Sequence, residues 1–319
     1  MENLPNDWDE LQKSLGASIL QSRVWADFQE SLSRSTFFEW SNHWSWVGFE
    51  HSQKGVRYLF LPYGPTASLN TNECLQSVVE LAKREKFDFV RIEPMGKIDA
   101  DDVALVDGAE VVEVEPKHTQ LINLLQDEQQ LRRDLNSGHR NLINGAERRG
   151  LTVRLTESDE DFEKFLEMLH NTAKRAKVKF HNDDYYWAIK KILGMRGFAK
   201  LYVVDSGEGI VAGALFYDYN GIRYYAHAGA VQILNRKLNG SVVLLWKAIL
   251  DAKSAGMHTM DLWGVAPNDD PKHKWAGISK FKKGFGGESI THLGTFDIPI
   301  NHAKYRAYML YRKFRGRTK

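Results

Sequence analysis

Between Asp261 and Gly287 the chain reads DLWGVAPNDDPKHKWAGISKFKKGFGG. Lys272, Lys274, Lys280, Lys282 and Lys283 fall in the middle of it with no acid among them. Trp275, Phe281 and Phe285 are interleaved with these lysines, and Gly284-Phe285-Gly286-Gly287 closes the run. A fixed ammonium and free backbone amides both stabilise negative charge, so the stretch suits an anion or a developing oxyanion. Lysines on a solvated face give the same composition. Glu93 and Asp261 each end an apparent strand, where a carboxylate can accept the proton of an attacking amine or cap a loop. Paired carboxylates, a Ser-His-Asp set and metal-ligand spacing do not stand out. One cysteine, Cys74, excludes an internal disulfide and a cysteine zinc cluster.

The chain has 319 residues and a net charge of +2, but that charge is unevenly spread. Residues 1–50 hold eight acids against three bases, and Asp99 to Glu115 is acidic. Arg132 to Arg154 holds six arginines, and residues 301–319 hold seven Lys/Arg and no acid. Basic patches of this kind suit nucleotide, tRNA or anionic lipid. The first residues, MENLPNDWDE, lack the basic and apolar regions of a signal peptide. No run approaches the roughly 20 apolar residues of a membrane span. A cytoplasmic protein is expected.

Helices are expected over 22–32, 72–86, 127–149, 159–174 and 241–255. Strands are expected over 44–49, 57–61, 87–92, 119–125, 198–204, 210–219, 222–228 and 258–263. Asn220-Gly221 is a strong hairpin signal. Lys83–Gly96 and Lys253–Pro267 share one form: a basic helix end, a short break, a strand carrying an acid, then a Gly/Pro loop. Two copies of that form suggest two domains of one mixed α/β type.

A three-strand meander followed by a helix at Ser241 resembles the core of a GNAT-type acyltransferase. Such folds hold a pyrophosphate at the helix N-terminus, where free amides and the dipole attract anions. Here the loop is Arg236-Lys237-Leu238-Asn239-Gly240-Ser241. Arg236 suits an anion, but Asn239 and Ser241 stand where glycines are expected. A helix capped by Asn239 or Ser241 is the competing reading, and it argues against coenzyme A.

Several segments together resemble the Fem aminoacyltransferases of peptidoglycan bridge formation. They are Gln21-Ser22-Arg23-Val24-Trp25-Ala26-Asp27-Phe28-Gln29, Leu61-Pro62-Tyr63-Gly64-Pro65, Phe89-Val90-Arg91-Ile92-Glu93-Pro94, Arg140 to Ala146, Tyr224-Tyr225-Ala226-His227-Ala228, and Ser279 to Gly287. The resemblance spans nearly the whole chain. It implies an α/β fold of two tandem GNAT-like domains, residues 1–150 joined by a C-terminal helix over 301–319, and residues 151–300. It implies transfer of Ala, Gly or Ser from aminoacyl-tRNA to the side-chain amine of a stem peptide. Asp183 to Lys200 is too short for the coiled-coil arm of many members, so the compact type is expected.

Carried over residue by residue, the catalytic pair is Phe281 and Lys282, the lysine steadying the ester and the oxyanion. A family basic residue that contacts diphosphate falls at Gln29, and a second at His181, four residues before Tyr185. Tyr63, Tyr225 and His227 are groove candidates, and Arg236 is a further substrate-binding candidate. The implied partners are aminoacyl-tRNA and a nucleotide- or lipid-linked precursor, with peripheral contact to the inner membrane leaflet and a monomeric state. No cofactor is expected beyond the charged tRNA. A coenzyme-A-dependent N-acyltransferase and a non-catalytic binder of tRNA or precursor are the alternatives.

Overall fold

The computed structural model describes residues 4–176, 179–268 and 270–316. They form two compact units, one from the residues up to Lys117 together with those from His292 onward, the other His118–Thr291.

The first unit begins with a short helix over Trp8–Leu15 and continues with helix α1 (Arg23–Ser31), started by the Ser22 side chain accepting from Trp25 N. Strands β1 (Thr36–Trp40), β2 (Trp44–Gln53) and β3 (Val56–Leu61) follow, then helix α2 (Thr71–Arg84) and strand β4 (Phe89–Ile92). In α2, Cys74, Leu75, Val78, Val79 and Ala82 recur at helical spacing and are buried against the sheet. Cys74 is thus a small core residue. β3 and β4 run parallel, joined by the α2 crossover.

The second unit opens with strand β5 (His118–Asn123), helix α3 (Ser137–Asn144) and strand β6 (Thr152–Thr156). Helices α4 (Asp159–Ala176) and α5 (Asp183–Ile189) precede the meander β7 (Ala199–Ser206), β8 (Gly209–Tyr219) and β9 (Ile222–Ala230). Asn220 and Gly221 both take positive φ, as the hairpin turn demands. Helix α6 (Gly240–Ser254) crosses to β10 (Thr259–Gly264), and α7 (Ala276–Lys283) leads to β11 (Glu288–Thr291). The seven strands lie in the order β11-β5-β10-β9-β8-β7-β6, with β9 and β10 parallel. α6 is apolar almost all round because it is buried almost all round.

The chain then returns to the first unit as β12 (Phe296–Pro299), antiparallel to β4, and helix α8 (His302–Gly316). Asp297 on β12 is fully buried and receives Arg91 Nε and Nη2 at 2.7 Å each and the Tyr305 hydroxyl at 3.0 Å. Residues 317–319 of the expected C-terminal helix lie outside the described residues.

Two sequence expectations differ from this architecture. The boundary between the units falls at 117/118 rather than 150/151, because β5 is bonded between β10 and β11. The return likewise begins at His292 rather than 301. The basic helix over 127–149 is broken into Glu128–Asp134, α3 and a short 3-10 turn. Leu135 is extended, and Asn136 caps α3 by accepting from His139 N at 2.7 Å.

Candidate active site

β9 and β10 are paired from Ile222↔Thr259 to Tyr224↔Asp261, and the registered pairs end there although both strands continue. Parallel strands that part at their carboxyl ends leave a crevice, the usual place for a ligand in such sheets. Two irregularities shape its walls. On β9, Leu215 faces His227 while Phe216 faces Tyr225, so Ala226 is an extra residue. Without that bulge, Tyr225 and His227 would share a face. With it, Tyr225 joins the core under α6, and His227 turns toward α5.

On β10, Asp261 faces Leu121 and Gly264 faces Thr119, so Leu262 and Trp263 oppose one residue. Trp263 has φ +61, which a tryptophan takes only when held there. The holder is Asp261, whose Oδ1 accepts from Trp263 N at 2.7 Å and also from the Thr119 hydroxyl. Burial raises the Asp261 pKa, while those hydrogen bonds and the charge of Lys282 oppose the rise. Asp261 is engaged in shaping the strand end, rather than standing open to an attacking amine.

The bulge leaves the Gly264 carbonyl accepting from Lys282 Nζ at 2.7 Å, with the ammonium also 5.8 Å from the Tyr225 ring centroid. Of the five lysines in the stretch, Lys282 alone is buried, at 7% exposure. Burial pushes its pKa down to about 8, against the pull of Asp261. It remains a cation at neutral pH, in surroundings where a charge acts strongly.

Several contacts fix the helix that carries it. Ser279 Oγ accepts from Ala266 N and donates to Trp275 O, both at 2.8 Å. Phe281 packs against the core and lies 5.4 Å from Phe285. His139 fits against both rings, at 5.7 and 4.5 Å. Asn136 N donates to Gly284 O at 2.9 Å, so the break in the expected long helix is what ties it to α7. A Cβ on Gly284 would come within 2.2 Å of the His139 ring. Gly284→Ala is therefore expected to shift α7, lowering turnover at least tenfold and stability by about 1–3 kcal/mol, measured by steady-state kinetics and urea titration.

On the other wall of the crevice, His181 is exposed and stacks on Tyr185 at 3.6 Å. Tyr185 meets Tyr186 edge-on, and Tyr186 meets His227 edge-on at 5.1 Å. His227 lies 6.2 Å from Tyr217, which lies 6.4 Å from Trp263. This aromatic wall runs from α5 to the residue beside Gly264. Burial, with the charge of His181, pushes the His227 pKa down to about 3, so its imidazole is neutral.

Thus Lys282, Phe281 and Tyr225 come together, and His181, Tyr185 and His227 come together along one wall. Arg236 is exposed on the short helix Gln232–Leu238. At the start of α6, Asn239 holds the N-cap position without a side-chain bond, and Ser241 N donates instead to Asn235 Oδ1 at 2.9 Å. An amide that a pyrophosphate would use is already taken. A Cβ on Gly240 would lie 2.8 Å from Val211, so this glycine serves close helix–strand packing.

Tyr63 and Gln29 belong to the first unit. Tyr63 is buried and donates its hydroxyl to Pro116 O at 2.9 Å. Gln29 is buried and its Oε1 accepts from Arg34 Nη1. A guanidinium therefore stands beside position 29, supplied from five residues further on. The corresponding crevice of this unit is laced shut. Past Leu61 and Ile92, Glu93 N bonds Gly64 O and Met95 N bonds Pro65 O, at 2.8 and 2.9 Å. Glu93 accepts from Tyr63 N, Glu115 N and the Thr295 hydroxyl. This carboxylate is a structural acceptor with its oxygens occupied.

Two mixed α/β units, the second with a split parallel pair, define the tandem GNAT-like class. A tandem GNAT protein of the clavulanic acid biosynthesis pathway superposes with a TM-score of 0.55 at 9% identity, covering 94% of this chain and 97% of that one. The crystal structure of FemX superposes with a TM-score of 0.81 at 16% identity, over 96% of this chain and 98% of that one. At these identities the likeness is one of fold. The FemAB family profile matches residues 59–205 and 196–313, and the chain belongs to the FemAB family. Aminoacyltransferase FemA of Staphylococcus aureus is 30% identical over 113 residues, 35% of this chain and 27% of the relative. The chain spans about a quarter of the length of that curated relative.

Proposed function

We propose that this protein transfers an aminoacyl group from tRNA to the side-chain amine of a peptidoglycan stem peptide. The observation that carries the reading is the buried ammonium of Lys282 between the Gly264 carbonyl and the Tyr225 ring, where β9 and β10 part. As the amine attacks the ester carbonyl, negative charge grows on its oxygen. A desolvated, fixed cation stabilises that charge. The C–N bond forms, the ester C–O bond breaks, and the amine proton is passed to the departing ribose oxygen. The ester is already activated, so the reading needs orientation more than a strong base and no further cofactor. Lys280 and Lys283 line a cleft of about 500 Å³ beside α7 that suits the phosphates of the acceptor end. The exposed His181 and the half-buried His227 and Trp263, backed by the buried Tyr186 and Tyr217, suit the stem peptide.

The test mixes purified protein with a panel of charged tRNAs (alanyl, glycyl and seryl included) and nucleotide-linked or lipid-linked precursor, followed by mass spectrometry. A mass gain of one amino acid, abolished by prior deacylation of the tRNA, is expected. If neither precursor is extended with any charged tRNA, the reading fails.

A further inference from the structure

Helix α8 has two unlike faces. Tyr305, Tyr308 and Met309 turn inward onto Val56, Tyr58 and Phe89. Arg306, Leu310 and Lys313, spaced i, i+4 and i+7, form one exposed stripe outward. Leu310 is 57% exposed, and Val112, across a shared groove, is 74% exposed. Leu310 stands in water between Arg306 and Lys313, and Val112, from the acidic stretch, shares the groove with these cations. Residues 301–319 carry seven Lys/Arg and no acid. The groove's carboxylate, Glu110, is held by Lys117 at 2.6 Å.

An RNA backbone rewards the cations and uses aromatic faces, but leucine and valine side chains add little to it. A bilayer surface uses both kinds of residue. Aliphatics enter the acyl boundary while long cationic chains reach the headgroups. We propose that α8 and Val112 form a docking surface for an anionic lipid bilayer. This surface does not depend on aminoacyl transfer, and in a transferase it would favour a membrane-borne acceptor.

Flotation of the full chain with precursor-free vesicles, of phosphatidylcholine alone or with phosphatidylglycerol added, tests it. Binding to the phosphatidylglycerol vesicles is expected, weakening as salt is raised. Arg306→Gln with Lys313→Gln is expected to lower the partition about thirtyfold, at about 1 kcal/mol per basic residue. Leu310→Ser is expected to lower it at unchanged charge. All three side chains are exposed, so both variants should melt as the parent does. The proposal is overturned if the parent stays off anionic vesicles at low salt, or binds both vesicle types equally. It is also overturned if either variant binds like the parent, or if the same changes abolish RNA binding and leave vesicle binding intact.

Discussion

Lys282→Met is expected to remove most of the aminoacyl transfer and yet make the chain more stable at pH 7. Holding the ammonium buried lowers its pKa from 10.5 to about 8, which corresponds to about 3 kcal/mol against folding. Its hydrogen bond to Gly264 O returns about 1 kcal/mol. Methionine fills a similar volume without charge, so a net gain of about 2 kcal/mol is expected. The sign follows from proton binding. Between pH 8 and 10.5 the unfolded chain binds the proton that the folded chain has shed, so parent stability rises with pH there. The advantage of methionine is therefore full below about pH 8 and fades toward 10.5. Turnover should fall on the order of 10²–10³-fold, and parent turnover should decline above about pH 8 as the ammonium is lost. Urea titrations at pH 7 and 10, with single-turnover kinetics, separate the two effects. Turnover within a few-fold of the parent would end the oxyanion role, and a less stable variant would end the burial argument.

The second large effect is expected at Asp297. Asp297→Ala leaves the Arg91 guanidinium, itself buried, without its bidentate partner. Breaking such a pair from one side costs about 3–5 kcal/mol, a large share of a typical domain's stability. Denaturant unfolding reads the loss. Arg91→Met combined with Asp297→Leu should recover much of it, because an apolar pair replaces both charges. Equal losses in the single and double variants would show that packing, and not the stranded charge, sets the cost.

The elements that bury one face were legible in the sequence. α2 and the β7–β9 meander show their periods and their Asn-Gly turn. The repeated helix-to-strand form at Lys83 and Lys253 does mark equivalent places, α2 to β4 and α6 to β10. What escaped was set by tertiary contact. The break at Leu135-Asn136 falls where the poor helix formers Asn136-Ser137-Gly138 interrupt two basic runs, a cap signal outweighed by the apolar and basic residues on either side. The bulge at Ala226 decides that Tyr225 meets Lys282 while His227 does not share its face, and no local pattern announces it. Lys282 was marked out by resemblance; its burial, the property that gives it chemistry, follows from its packing against β10 and Tyr225. Arg34 beside Gln29 depends on a loop returning to a helix, which spacing alone does not specify.

The ion pair between Arg91 and Asp297 also spans 206 positions of sequence. On a ribosome adding about 5–20 residues per second, on the order of ten to forty seconds separate the two. Through that interval the nascent chain carries an unpaired arginine and a sheet missing β12. The unit His118–Thr291 is contiguous and has all seven of its strands before Asp297 is made. The middle of this chain is thus placed to fold before its beginning, and the earliest residues made are those with most need of a holding chaperone.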